Sequence, residues 1–376
     1  MPESSLRLFD TARDRVVAFE PAGTTVSMYV CGITPYDATH VGHAATFIVF
    51  DILQRRLIDL GFEPRCVRNV TDVDDSLLAR ARDGGVHYLD LAAAALATFE
   101  ADLDALGLLA AHSEPRATSA ISDVRSLIGR ALDAGAAYES GGNVYFDTGA
   151  RPGFGSLSRL PRAVMIQLSV RRGGQPDDPL KRDPLDVPMW QVSRPDEPAW
   201  PSRWGSGRPG WHVECAALAL RELGAPIDLH GGGSDLLYPH HECEAAMAEA
   251  ALSDGPFTRH WMHVAMVRVD GAKMSKSADN LAFVSDLRAR FDPMAIRLAI
   301  AAQHYRTPWE WDGELVERAA ECVERWRAAG PGDGALSDVR ASLDDDLATP
   351  DAVAAIDAAA RAGHGVSEAC ALLGIT

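Results

Sequence analysis

Residues 24–46 read TTVSMYVCGITPYDATHVGHAAT. Thr24 to Val30 is a short β-prone run, and the Cys31-Gly32 pair after it is expected to stop the strand. The apolar stretch from Ala44 to Leu60 has the length and spacing of a helix, so the segment reads as strand, turn and helix. The pattern then repeats. A second apolar run from Pro64 to Val70 ends in Asn69-Val70-Thr71-Asp72, and Asp74 and Asp75 stand where a helix N-terminus favours negative charge. Alternating strand and helix predict a parallel α/β sheet, whose functional groups gather at the C-terminal ends of its strands.

Further along, the character changes. Residues 115–208 hold a helical stretch to Gly135, a strand at Asn143 to Phe146, and then a Pro-, Gly- and Arg-rich region without clear period, which together read as an insertion. The α/β pattern returns with a helix at Trp211 to Leu223, a strand at Pro226 to His230, the Gly231-Gly232-Gly233 run and a helix at His240 to Ala251. Beyond a loop at 271–280 the chain reads mostly as helix. The expected division is therefore 1–114 and 209–270 as two halves of one Rossmann-like catalytic domain, 115–208 as connective insertion, 271–330 as a lysine-bearing loop and helical stem, and 331–376 as a short helical C-terminal region.

The formal charge of -17, from 36 basic against 53 acidic residues, disfavours broad nucleic-acid binding. Six scattered cysteines in 376 residues do not suit a disulfide framework, so thiols or metal ligands of a cytoplasmic protein are expected. The sequence shows neither a secretory leader nor an apolar run near the roughly 18 residues that span a bilayer, so no membrane partner is expected.

His40-Val41-Gly42-His43 falls between the first strand and helix, where glycine admits close backbone approach and imidazoles can donate to phosphate oxygens. Lys273-Met274-Ser275-Lys276-Ser277 places two lysines and two hydroxyls in a short polar loop, which suits a clamp on a triphosphate. Taken singly, each also fits a bland reading: a helix cap for the histidines, a solvated loop for the lysines. Cys31, Cys215 and His240 lie far apart in sequence, yet each falls at a strand end or the helix start beside it. Thiolates and imidazole together suit zinc, although buried thiols and packed histidines are common without metal.

The paired His-Val-Gly-His and Lys-Met-Ser-Lys-Ser elements resemble the two signatures of class I aminoacyl-tRNA synthetases. The words Cys31-Gly32, Asn69 to Asp75, Gly210 to Cys215, Gly231 to Asp235 and Pro239 to Glu242, in that order, resemble the cysteinyl-tRNA synthetase-like branch. That resemblance implies ATP-dependent activation of cysteine as an adenylate, with zinc held by Cys31, Cys215 and His240. Glu244, one helical turn beyond His240, is a possible fourth ligand and Cys243 a weaker competitor. It also implies that His40, His43, Lys273 and Lys276 are catalytic, and that magnesium accompanies ATP. Cys31, Gly32, Ile33, Thr34, Thr46, Asn69, Val70 and Thr71 are expected around the adenylate. Trp211 falls beside the cysteinyl group; Gly233, Ser234 and Asp235 fall on the nucleotide side, and Val267 at adenine.

Within that branch, residues 31–46, Arg171-Arg172-Gly173-Gly174-Gln175-Pro176 and the stretch from Trp190 to Cys215 are similar to the cysteine ligases of mycothiol biosynthesis. This implies a monomer that joins L-cysteine to the amine of glucosaminyl-inositol, with no tRNA partner. Only 99 residues follow Ser277, short for an anticodon-binding domain. Three alternatives stay open: a cysteine ligase acting on another small amine, a truncated tRNA synthetase, and a catalytically silent homologue.

Overall fold

The computed structural model describes residues 6–36, 38–252, 255–269, 271–274 and 281–376, with Ala272 and Lys273 as backbone. A short hairpin, β1 (Arg7–Asp10) and β2 (Arg15–Ala18), precedes the first long strand, β3 (Thr25–Ile33). Strand β3 does not stop at Cys31-Gly32. It carries both residues as strand to Ile33, because Gly32 runs against the end of β4 (Glu63–Val70), where no side chain would fit. Helix α1 (Val41–Asp59) connects the two strands, opened by His40, whose Nδ1 accepts from the His43 N–H at 3.3 Å. Asp74 caps α2 (Asp75–Gly84), with its Oδ1 accepting from the backbone of Ser76 at 2.7 Å. Helix α3 (Tyr88–Ala105) completes this half.

The stretch that follows builds its own layer. Helix α4 (Ile121–Asp133), β5 (Ala137–Ser140), β6 (Asn143–Phe146), α5 (Arg162–Arg171), β7 (Val187–Gln191) and β8 (Arg208–Pro209) give an antiparallel sheet in the order β5-β6-β7-β8, flanked by two helices. The Arg- and Pro-rich region without period thus holds a helix and a strand that sequence reading does not find.

The parallel sheet resumes with α6 (Trp211–Leu223), β9 (Leu229–Gly233), α7 (Glu242–Ala251) and β10 (Trp261–Val264). Its order is β10-β9-β3-β4, with every neighbouring pair parallel. The strand expected at Pro226 to His230 lies three residues later and includes the glycines. A Cβ on Gly231 would strike the Met262 carbonyl and the Phe50 ring, so glycine is what lets β10 and α1 close on both sides of β9. Helix α7 likewise begins at Glu242, after an irregular turn over Leu237–His241.

A small sheet of β11 (Val267–Val269), β12 (Ala272–Lys273) and β13 (Trp309–Glu310) leads to the C-terminal helices. These are α8 (Val284–Arg288), α9 (Pro293–Ala301), α10 (Gly313–Ala329), α11 (Leu336–Asp344), α12 (Thr349–Arg361) and α13 (Ser367–Leu372). One apolar core joins α1 and β3 to these helices, and a second joins the other face of the sheet to α4, α6 and α7. Among the described residues, no helix is long and apolar enough to cross a membrane.

Candidate active-site cleft

The carboxyl ends of the four parallel strands open into one cleft of about 1140 Å³. Sheet order sets the sequence of groups along it. Val264 to Val267 follow β10, Gly233 and Asp235 follow β9, Cys31 to Thr34 end β3, and Asp74 comes after β4. His40, His43, Thr46 and Trp211 also line the cleft.

The His40 and His43 rings stack at 3.8 Å between centroids. Two strand-like contacts set this element beside the lysine-bearing loop: Val41 N–H donates to Ala282 at 2.9 Å, and Val284 N–H donates to Thr39 at 2.9 Å. Met274 and Leu281, on either side of residues 275–280, both line the cleft. Lys276 lies outside the described residues, and Lys273 is described as backbone in β12.

Not every expected contact residue faces the cleft. Asn69, Val70 and Thr71 are buried behind its wall. There the Asn69 Oδ1 accepts from Gly32 N–H at 2.9 Å, its amide donates to Thr71 Oγ1 at 3.0 Å, and Thr71 N–H donates to the Ile33 carbonyl at 2.9 Å. Ser234 starts the short turn Ser234–Leu236 that presents Asp235. Asp235 Oδ2 accepts from Arg172 at 2.6 Å.

Below the cleft floor, Cys31 from β3, Cys215 from α6, His240 from the irregular turn and Glu244 from α7 converge, with ligand atoms all within 4.8 Å of one another. All four are at most 4% exposed. His240 Nε2 lies 2.8 Å from Glu244 Oε1, and Cys31 Sγ lies 3.4 Å from the same oxygen. Cys243 is buried too but belongs to no such donor group among the described residues.

Electrostatics makes this an unstable place for bare charge. Burial pushes the Glu244 carboxyl well up, and burial with the neighbouring thiol pushes Cys31 well up. The hydrogen bond from Cys31 brings Cys215 down to about 7. Two thiols, a carboxyl and an imidazole thus share protons in a buried pocket, and among the described residues Glu244 Oε2 accepts no hydrogen bond, with His230 Nε2 3.4 Å away. A divalent cation replacing those protons would neutralise the set.

Sequence reading misses what surrounds these four residues. Trp211, which lines the cleft, stacks on His240 at 4.1 Å, and Cys31 of the cluster reaches the cleft as well. His212 Nδ1 meets His240 Nδ1 at 2.9 Å. Behind them His230, His241 and His263 form an imidazole layer: His241 Nδ1 lies 2.8 Å from His263 Nε2, and His263 Nδ1 lies 2.7 Å from Thr11 Oγ1. Burial lowers the pKa of His212, His230 and His241 well below the usual value, so these rings are neutral. His230 and His241 also form a donor group with Cys31 and Glu244. Tyr29, two residues before Cys31 on the same strand face, packs on His230 at 5.0 Å between ring centroids, a contact the sequence does not signal.

Comparison with known proteins accounts for this arrangement. The L-cysteine:1D-myo-inositol 2-amino-2-deoxy-alpha-D-glucopyranoside ligase of Streptosporangium roseum is 47% identical over 359 residues, covering 94% of this chain and 88% of that protein. The ligase of the same name from Mycobacterium ulcerans is 48% identical over 365 residues, covering 94% and 89%. Mycobacterium tuberculosis methionyl-tRNA synthetase in complex with methionyl-adenylate shares the fold, with a TM-score of 0.65 at 17% identity over 89% of this chain and 82% of that one. Residues 18–321 match the catalytic domain of class I (C) tRNA synthetases, a span that takes in the four-stranded sheet, the cleft and all four buried donors. A parallel Rossmann-like sheet with the cleft at its carboxyl rim, matched over most of its length, makes this chain a member of the class I (C) tRNA synthetase catalytic-domain family.

Proposed function

We propose that this protein ligates L-cysteine to the amine of 1D-myo-inositol 2-amino-2-deoxy-alpha-D-glucopyranoside through a cysteinyl-adenylate, releasing pyrophosphate and then AMP. The observation that carries the reading is the buried Cys31, Cys215, His240 and Glu244 set directly beneath a nucleotide-sized cleft. The acceptor is supported by the names of relatives that match nearly the whole chain.

The cysteine carboxylate attacks the α-phosphate of ATP. His40 and His43, stacked at the N-terminus of α1, stabilise charge on the phosphates, while Lys273 and Lys276 neutralise the departing pyrophosphate alongside magnesium. Asp235 accepts from the ribose hydroxyls, the backbone at Val267 meets adenine, and Trp211 packs on the cysteinyl group. Thr34 and Thr46 position the adenylate; Asn69 acts through the Gly32 backbone and Thr71 through the Ile33 carbonyl, with Val70 paired to Ile33.

Zinc fits the donor set formed by Cys31, Cys215, His240 and Glu244, two thiols with an imidazole and a carboxylate. When bound there it supplies a soft Lewis acid that prefers a thiolate to a neutral hydroxyl, which separates cysteine from near-isosteric serine where shape alone discriminates poorly. The alternative donor group with His230 and His241 has a single thiol. Purified protein supplied with ATP, cysteine, magnesium and glucosaminyl-inositol is expected to release AMP and form the amide, identified by mass, with serine and tRNA inert. Transfer of cysteine to tRNA, or no cysteine-dependent pyrophosphate exchange, would overturn this reading.

A further inference from the structure

The cleft extends past the end of β3, beyond the span that an adenylate lying from β10 to β3 would occupy. On one side of this extension is the face of α2 that carries Asp74, Asp75 and Arg82; on the other are Tyr145, Gln191 and Glu197 from the antiparallel layer. The whole cleft, at about 1140 Å³, exceeds the roughly 300–1,000 Å³ of ordinary small-ligand sites, which leaves room for a second polar substrate.

Among the described residues six carboxylates line the cleft, and five are held by a side chain distant in sequence. Asp75 pairs with Arg208, Glu197 with Arg208 at 3.1 Å and Arg82 at 3.2 Å, and Asp235 with Arg172 at 2.6 Å. Asp178 accepts from Tyr145 at 2.8 Å and from the Leu180 backbone at 3.0 Å. Asp186 accepts from Tyr138 at 2.7 Å and from Thr148 at 2.9 Å. Asp74 is the exception. Its Oδ1 caps α2 and its carboxylate also takes the Ser76 hydroxyl, both local partners, while among the described residues no arginine, lysine or backbone N–H reaches Oδ2. Strands β3 and β4 end side by side, with Ile33 opposite Val70, so Asp74 stands next to the β3 end where the reacting carbonyl would lie and on the open side of it.

We propose that Asp74 is the general base of the ligation step, its Oδ2 receiving the acceptor amine from the β4 side of the cleft. This rests on the function proposed above. The neutral amine donates its lone pair to the adenylate carbonyl carbon, the C–N bond forms, and the C–O bond to phosphate breaks with its electron pair leaving on AMP. The proton lost by the nitrogen passes to Asp74 Oδ2 and from there to solvent. Burial, together with repulsion from Asp75, raises the Asp74 carboxyl above its usual range, in the direction that a proton acceptor needs.

Asp74→Asn tests this without removing the cap, because asparagine caps a helix as well as aspartate. Expected are unchanged cysteine-dependent pyrophosphate exchange, kcat for glucosaminyl-inositol lower by about 10²-fold or more, and AMP release restored by hydroxylamine, an amine unprotonated at neutral pH. Unchanged turnover, or exchange falling in step with turnover, would overturn the assignment and leave Asp74 a helix cap or an activation residue. Should the wild-type protein consume glucosamine but not the pseudodisaccharide, the acceptor proposed above is wrong, and the Asp74 comparison is then read on glucosamine.

Discussion

At the scale of single residues, the buried donor set depends on partners that contribute no ligand themselves. His240 presents Nε2 to Glu244, and its other nitrogen meets His212. That second contact fixes the ring's tautomer and orientation, the task outer partners perform at metal sites. His212→Phe should therefore weaken zinc binding about 10–100-fold in a chelator-competition assay while leaving the fold intact by circular dichroism. Cys215→Ala removes a donor outright, so the purified variant should carry well under one zinc per chain by elemental analysis. Equal zinc affinity in wild type and His212→Phe would mean that the imidazole contact is packing alone.

At the scale of elements, the end of β3 decides the shape of the site, and Gly32 decides the end of β3. Its N–H is held by Asn69, and any Cβ there would collide with the Asn69 carbonyl. Gly32→Ala must push β3 from β4, at a cost of about 1–3 kcal/mol or more, seen as a lower urea midpoint, with cysteine activation reduced in the folded fraction. The same glycines mark where sequence reading and structure part. Strand β3 with α1, β4, β6 and α6 were all readable, because β-prone or helix-spaced apolar residues match their burial. The ends of β3 and β9 were not, since Gly32 and Gly231 look like turn residues yet serve as strand residues under close backbone approach. Helix α5 escapes for a different reason: its apolar residues face a small local cluster around Met165, Leu185 and Tyr238, so no long periodic stripe is required, while β7 is only five residues long and holds a proline, although its Met189 and Trp190 join the second core. For the candidate site, Cys31, Cys215, His240 and Glu244 could be picked out by motif. The paired state of five cleft carboxylates, and the exception at Asp74, arise from side chains far apart in sequence and were not readable.

At the scale of the molecule, two buried polar systems set its response to conditions. The first is imidazole. His212, His230, His241 and His260 are each at most 8% exposed, and burial holds each below the usual histidine pKa. A depressed folded pKa means that the unfolded chain takes up protons first as pH falls. The stability these groups lend is therefore complete above about pH 6.5 and is lost as pH falls below it, by up to about 1.4 kcal/mol per pH unit for each ring. Melting temperature should drop more between pH 6.5 and 5 than between pH 8 and 6.5, a comparison that scanning calorimetry of the zinc-loaded protein makes directly.

The second system ties the C-terminal helices to the catalytic sheet. Arg297, on α9, is fully buried, and its guanidinium bonds the Asp51 carboxylate on α1, the Leu106 carbonyl after α3 at 3.1 Å and the Leu373 carbonyl after α13 at 2.7 Å. Asp51 in turn accepts from Arg55 at 2.7 Å and from the Leu109 N–H at 2.7 Å. Four segments distant in sequence thus meet at one charge, whose desolvation is offset only while every partner is present. Arg297→Ala leaves Asp51 with Arg55 and the Leu109 N–H only, and the Leu106 and Leu373 carbonyls without the guanidinium, so the loss should be about 3–5 kcal/mol, the cost of breaking rather than replacing a buried pair. Because α1 carries His43 and Thr46 on the same helix as Asp51, the loosening should reach the cleft. The expected result is a lower urea midpoint together with a raised KM for ATP, and a midpoint equal to wild type would show that the C-terminal helices are held by apolar packing alone.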